Sequence, residues 1–222
     1  MPELVHPVRV LTLAEQGLLG LSVSSAILAY LASGEYSWSV VTDLAEVYRR
    51  GTAMEKENIA FRRHLAARSS AHTAFQILAT EIEKQVDCTA CANCCRHSLV
   101  AVNQAEIEDI ALHLKATAEG VTRQFTDPDP GAPGFRILRT SDSGCVFLDG
   151  NLCMVYDARP KACREFPHVA VGTHSLGSRR ASMNRWAPLC PIIFNALEAH
   201  KQVTGFRAGE SAADEVAGVD HA

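Results

Sequence analysis

The sequence carries none of the familiar enzyme fingerprints. It has no P-loop, no dinucleotide glycine motif and no Ser-His-Asp set, so nucleotide chemistry and triad hydrolysis find no support in it. It also lacks a basic excess. Twenty-one Lys and Arg against 25 Asp and Glu give a net charge of −4, so no global field draws it to nucleic acid. The local exception, Arg179, Arg180 and Arg185, reads as a solvated basic loop. No secretory signal is visible: Glu3 stands where a positive n-region would be, and no small-residue cleavage site follows an early apolar run. A cytoplasmic protein is expected, in which disulfides are disfavoured. Charge is absent between Glu15 and Glu35. That run is nearly long enough to span a membrane. However, Ser22, Ser24 and Ser25 interrupt it and no Lys or Arg flanks it closely, so a buried helix is expected instead.

What the chain does have is thiol. Four of its eight cysteines, Cys88, Cys91, Cys94 and Cys95, fall in the run CTACANCC. Four thiolates this close repel each other unless a cation neutralises them, so a metal or iron–sulfur site is the simplest stable state. On a helix advancing about 100° per residue, all four fall within a stripe about 120° wide. Cys94 and Cys95 still diverge by one residue step, which leaves room for two metals.

The other four are Cys145, Cys153, Cys163 and Cys190. Cys145 and Cys153 flank a hairpin centred on Asp149-Gly150. With a two-residue loop they would face opposite ways. With a three-residue loop, Asp149 to Asn151, with Asn151 in the left-handed conformation, they share a face, so a three-residue loop or bulge is expected if both thiols reach the metal region. Pro160 suits a first helical position, placing Cys163 in an opening turn. Cys190 precedes Pro191 and reads as the N-cap of a final helix through Ile192, Ile193 and Leu197. At a helix start the dipole lowers a thiol's pKa, and both look like ligands. A small buried hydrophobe is the plainer role for each alone. His97 and His168 are candidate ligands by proximity, although an exposed, uninvolved histidine is the commoner state. Arg96, Arg159 and Arg164 are placed to offset the charge of a four-thiolate site and to hydrogen-bond its sulfurs.

The C-x2-C-x2-C run with a distant Cys-Pro is similar to bacterial runs in which three local thiolates and one remote one hold a 4Fe–4S cluster. Zinc sites usually pair two C-x2-C knuckles, and no second knuckle is present. A 4Fe–4S cluster is therefore slightly favoured, with Zn2+ as the alternative.

Helix signals dominate elsewhere. Capping-box patterns at Thr12/Glu15, Thr52/Glu55 and Asn103/Glu106 open helices. Another helix begins near Asp43 and should break at Gly51. Phe75, Leu78, Ile82 and Val86 stand at helical spacing, as do Ile107, Ile110, Ala111 and Leu114 in a helix expected to end near Gly120. FRILRT and GCVFLDGNLCMVY alternate and read as strands, and Thr126 to Gly134 as a loop. No internal repeat is visible. The expected fold is mainly α with a small β-hairpin: a helical bundle over 1–87, a metal-stapled α+β cysteine-cluster domain over 88–206 and a disordered tail over 207–222.

CTACANCCR (Cys88 to Arg96), the helix from Asn103, and GCVFLDGNLCMVYDARPKACREFP (Gly144 to Pro167) together resemble the YkgJ-type cysteine-cluster proteins, described as zinc- or iron-chelating domains. The matching elements are the C-x2-C-x2-C-C run, Cys145, Cys153, Tyr156, Arg159, Pro160, Cys163, Arg164, Phe166 and Pro167. Ala92 departs from the family, which usually has Gly there. If that position needs a positive φ, alanine carries a cost. The resemblance implies metal chelation more than a reaction. A structural or metal-handling site is expected first. An iron–sulfur redox or SAM-dependent transferase enzyme is the second reading, and an adaptor binding a protein partner through its N-terminal helices the third.

Overall fold

The computed structural model describes residues 39–66, 71–167 and 182–208. The uncharged run with its Thr12/Glu15 pattern, His168, Arg179 and Arg180, and most of the tail lie outside the described residues. By contact the chain divides into two units, residues 1–86 with 167–222 and residues 87–166. Residues 167–206, grouped with the cysteines in the sequence reading, cluster with the first unit. The described fold is mainly α with small antiparallel strand pairs.

The first unit is helical: α1 (Leu44–Ala53), α2 (Glu55–Ala66), α3 (Ala71–Glu83) and, as the last helix, α9 (Pro191–Val203). Asp43 caps α1 by accepting from the backbone of Glu46. Gly51 does not end α1, which runs on to Ala53 and so places Thr52 inside it instead of at a cap. Gly51 is a packing residue: a Cβ there would stand 2.7 Å from the Cα of Pro188.

Phe75, Leu78 and Ile82 on α3 are buried as their spacing predicts, and α9 packs against that helix. Buried almost all round, α9 has to satisfy its polar residues internally. Asn195 brackets the backbone of Val41, accepting from its N–H at 2.9 Å and donating to its carbonyl at 2.8 Å. Lys201 lies between Glu57 at 2.7 Å and Glu198 at 2.6 Å. No helix among the described residues is long and apolar enough to cross a membrane.

In the second unit two short helices, α4 (Cys88–Cys91) and α5 (Asn93–His97), are followed by β1 (Ala101–Val102), α6 (Gln104–Leu114), α7 (Ala118–Phe125), β2 (Thr126–Pro128) and β3 (Arg136–Leu138). The strands form an antiparallel sheet in the order β1-β3-β2. The Asn103/Glu106 capping box forms in full. However, α6 ends at Leu114 with Lys115 left-handed, and Thr117 caps a separate α7 that contains Gly120. Val102, Ile107, Ile110, Val121 and Leu138 make the core, and Cys145, Cys153 and Cys163 pack against it.

Glu106 does more than close its capping box. Its second carboxylate oxygen accepts from the backbone N–H of Lys161 at 2.8 Å, the first residue of α8 (Lys161–Glu165), which carries Cys163. One side chain thus caps two helix starts. Glu106→Ala is expected to cost about 1–2 kcal/mol, one cap being worth about 1 kcal/mol. Glu106→Gln can accept at only one of the two positions, so it should lose about half of that or more. Thermal unfolding of both variants checks this.

Candidate metal centre

The cysteine run forms two helical turns joined at a corner. Asp87 caps the first, its carboxylate accepting from Thr89 and Ala90, and hydrogen bonding to the Thr89 hydroxyl holds its pKa below the usual carboxylate range. The corner is Ala92, with φ 48° and ψ 12°. The corner thus takes the left-handed conformation. Here a buried alanine takes it, at a cost of about 1 kcal/mol. The second turn carries Cys94 and Cys95 onward in a new direction, so the run is not the single helical stripe of the sequence reading.

Downstream the chain forms two hairpins in series instead of one. β4 (Thr140–Ser141) pairs with β5 (Gly144–Cys145), and β6 (Leu148–Asp149) pairs with β7 (Leu152–Cys153). The second loop is the two-residue turn Gly150-Asn151, so the expected three-residue loop is wrong. Gly150 takes the positive φ of 59°, as the first loop position of a type II′ turn requires, and Asn151 does not. The two thiols nevertheless both pack against the same core. The strand breaks into a turn at Val146-Phe147, which cancels the strict alternation that would have put them on opposite faces.

These hairpins are an eight-residue structural repeat. Thr140 pairs with Cys145 as Leu148 pairs with Cys153. The N–H of Val146 donates to Arg139 as that of Met154 donates to Phe147, at 2.9 and 2.8 Å. The backbone of Phe147 acts on the Cys145 thiol as that of Val155 acts on the Cys153 thiol, each favouring the thiolate. Phe147 and Val155 both point into the core. Only cysteine is identical between the two halves, so the repeat is hidden in the sequence. Eight-residue Cys spacing with a turn dipeptide three residues before each Cys was the usable signal.

Three thiols, Cys145, Cys153 and Cys163, are raised by burial and by the charge of Cys95. Burial pushes the Cys145 thiol up, with Cys153 and Cys95 adding to it. Burial likewise raises Cys153, with Cys95 adding. Cys163 is pushed up to about 12, chiefly by burial and then by Cys145, Cys95 and Cys153. The fall expected from its helix-start position does not occur: α8 is five residues long, and its dipole is outweighed by the apolar and thiol surroundings. Pro160 is the N-cap there, not the first helical residue.

Cys95 is the reverse case, lowered to about 6. The S–H of Cys94 donates to it, and the guanidinium groups of Arg159 and Arg96 lower it further. Arg159 acts on Cys153 and Cys163 as well. It is held over the Tyr156 ring, 3.5 Å from the centroid, and donates to the Tyr156 carbonyl at 2.8 Å. Arg164 reaches the carbonyl of Arg159 and no sulfur.

Arg96 and Asn151 lock the second hairpin to the cysteine corner. Arg96 donates to the carbonyls of Cys91 at 3.1 Å and Gly150 at 3.0 Å, and to Oδ1 of Asn151. Asn151 donates to the carbonyl of Ala90 at 2.7 Å. The sequence reading had given Asn151 a turn role only.

Of the remaining predicted residues, Cys88 is exposed, and Cys91 and Cys94 are half-buried. Cys190 lies in the first unit, where it is the predicted N-cap of α9 with Pro191 following. His97 is exposed, with Nδ1 at the carbonyl of Asn93. Among the described residues no group of three or more His, Cys, Asp or Glu side chains is arranged to hold a metal ion as the side chains lie.

Residues 87–191 match the CxxCxxCC family model, "Putative zinc- or iron-chelating domain". The match takes in all eight cysteines and supports metal binding by this region in general. No curated protein and no solved structure gives a significant match to the chain.

Proposed function

We propose that residues 87–166 of this CxxCxxCC domain hold a thiolate-bound metal centre through Cys95, Cys145, Cys153 and Cys163, in a structural or metal-handling role. The observation that carries the reading is that Cys145, Cys153 and Cys163 pack against one core while the Cys95 charge acts on all three. These three have raised pKa values and would stay protonated at neutral pH without a cation. A soft cation compensates buried sulfur charge better than any other ligand class. The donor set is sulfur only, and the backbone at Phe147 and Val155 favours the thiolate form of two of the sulfurs, as polar groups around metal thiolates do. Rotation of the thiols about their Cα–Cβ bonds is left to close the shell. Cys88, Cys91 and Cys94 supply further thiolate at the adjoining corner. The C-x2-C-x2-C spacing favours a 4Fe–4S cluster over zinc, and the bound metal would supply charge neutralisation and cross-linking. Arg96 and Arg159 would balance the excess negative charge.

The test is anaerobic purification followed by metal and acid-labile sulfide analysis, with Cys145→Ser and Cys153→Ser alongside. A coloured protein containing iron and sulfide is expected, with each serine variant losing the bound metal. A colourless protein with stoichiometric zinc would sink the cluster assignment but keep the ligand set. Full metal content in both variants would sink the ligand set.

A further inference from the structure

Outside the thiol region the first unit holds a small cavity where α2, α3 and α9 converge with the helical residues 182–186. Its walls include Phe61, Phe75, Leu197 and His200, and two amides face it, Asn58 and Asn184. Asn58 is 2% exposed. Its Oδ1 is buried and pairs with no group among the described residues, and the same holds for Nδ2 of Asn184. Buried polar atoms without partners are rare in folded proteins, and an ordered water is the usual explanation.

Size decides between a water and a larger ligand. The space open to the centre of a water molecule is about 10 Å³. Pockets for small-molecule ligands run to roughly 300–1,000 Å³, whereas a single water needs on the order of 10–15 Å³. Chemistry points the same way. Asn58 Oδ1 only accepts and Asn184 Nδ2 only donates, and a water can donate to the first while accepting from the second. It can serve either amide if that amide is turned over, because it does both.

We infer that this cavity is a structural hydration site, in which one water joins Asn58 on α2 to Asn184 beside α9. The water completes polar pairing that the four helical segments cannot complete among themselves. The inference does not depend on the metal reading, since none of these residues belongs to the thiol group.

Oxygen-17 relaxation dispersion on the full chain, as purified, counts long-lived internal waters. The wild type should show one more than Asn58→Leu and one more than Asn184→Leu. Equal counts in all three would overturn the inference. Should the variants not fold, a wild-type crystal structure with refined waters decides. One peak within hydrogen-bond distance of both amides supports the site, while a dry cavity or a direct bond between the amides overturns it.

Discussion

Replacing Gly144 with alanine is expected to cost the cysteine unit at least about 3 kcal/mol and to abolish its metal content. Gly144 has φ 118°, a conformation that residues with a Cβ rarely adopt, and holding one there costs about 1–3 kcal/mol. Space is the second obstacle. A Cβ would stand 2.7 Å from Cα of Arg96 and 2.8 Å from the carbonyl oxygen of Cys95. Both are backbone atoms, so no side chain can rotate away, and overpacking of this kind adds about 1–3 kcal/mol. A unit this size has roughly 4–12 kcal/mol of stability in all. The collision also falls at a decisive point. It forces β5, carrying Cys145, away from α5, carrying Cys95, and these are two of the four coupled thiols. Gly150→Ala is the control. Its φ is 59° but no atom lies within 4 Å of where its Cβ would stand, so it should show strain alone, about 1–2 kcal/mol. Thermal unfolding with metal analysis separates the two. Equal losses would show that strain, not the contact with Arg96, makes Gly144 necessary.

The contrast between these glycines shows what the sequence could reveal. Local rules read well wherever the cause is local. Asn103 and Glu106 name their own capping box, Cys190-Pro191 names the start of α9, and the helical spacing of Phe75, Leu78 and Ile82 names a buried face. The same rules failed where a long-range contact decides. Gly51 looks like a stop, but it is a glycine because Pro188 lies against it. Asn151 looks like a left-handed loop residue, but it serves as a clamp on Ala90, sixty-one residues earlier. Cys163 looks like an acidic thiol at a helix start, yet burial among three other thiols reverses the shift. The loop length was misread for a related reason. Counting faces assumes an unbroken strand, and the turn at Val146-Phe147 breaks it. Metal chemistry was legible because thiol spacing needs no fold to be informative. The grouping of the thiols was not, because it depends on how two hairpins pack against two helical turns.

The largest effect should come from removing the metal. The cysteine unit has a core of nine buried apolar residues, and three of its coupled thiols pack directly on it. A core this small supplies little stability by itself, and in such domains metal binding is folding free energy, on the order of 10 kcal/mol for a structural thiolate site. On the proposed ligand set, stripping the metal would leave Cys145, Cys153 and Cys163 protonated, and the hairpins would lose their link to α8. Chelation, or the near-isosteric Cys163→Ser, should therefore unfold residues 87–166 while α1, α3 and α9 stay formed. Those helices draw on a separate set of contacts: α9 packs on α3, and Asn195 and Lys201 hold partners within the first unit. Hydrogen exchange read by mass spectrometry distinguishes the two units. Protection in β1, β3 and α6 should fall by about a thousandfold, or roughly 4 kcal/mol. Protection in α3 and α9 should change less than about tenfold. Unchanged exchange in α6 after complete metal removal would mean that the apolar core alone holds the unit. A parallel collapse of α3 and α9 would mean that the two units unfold as one.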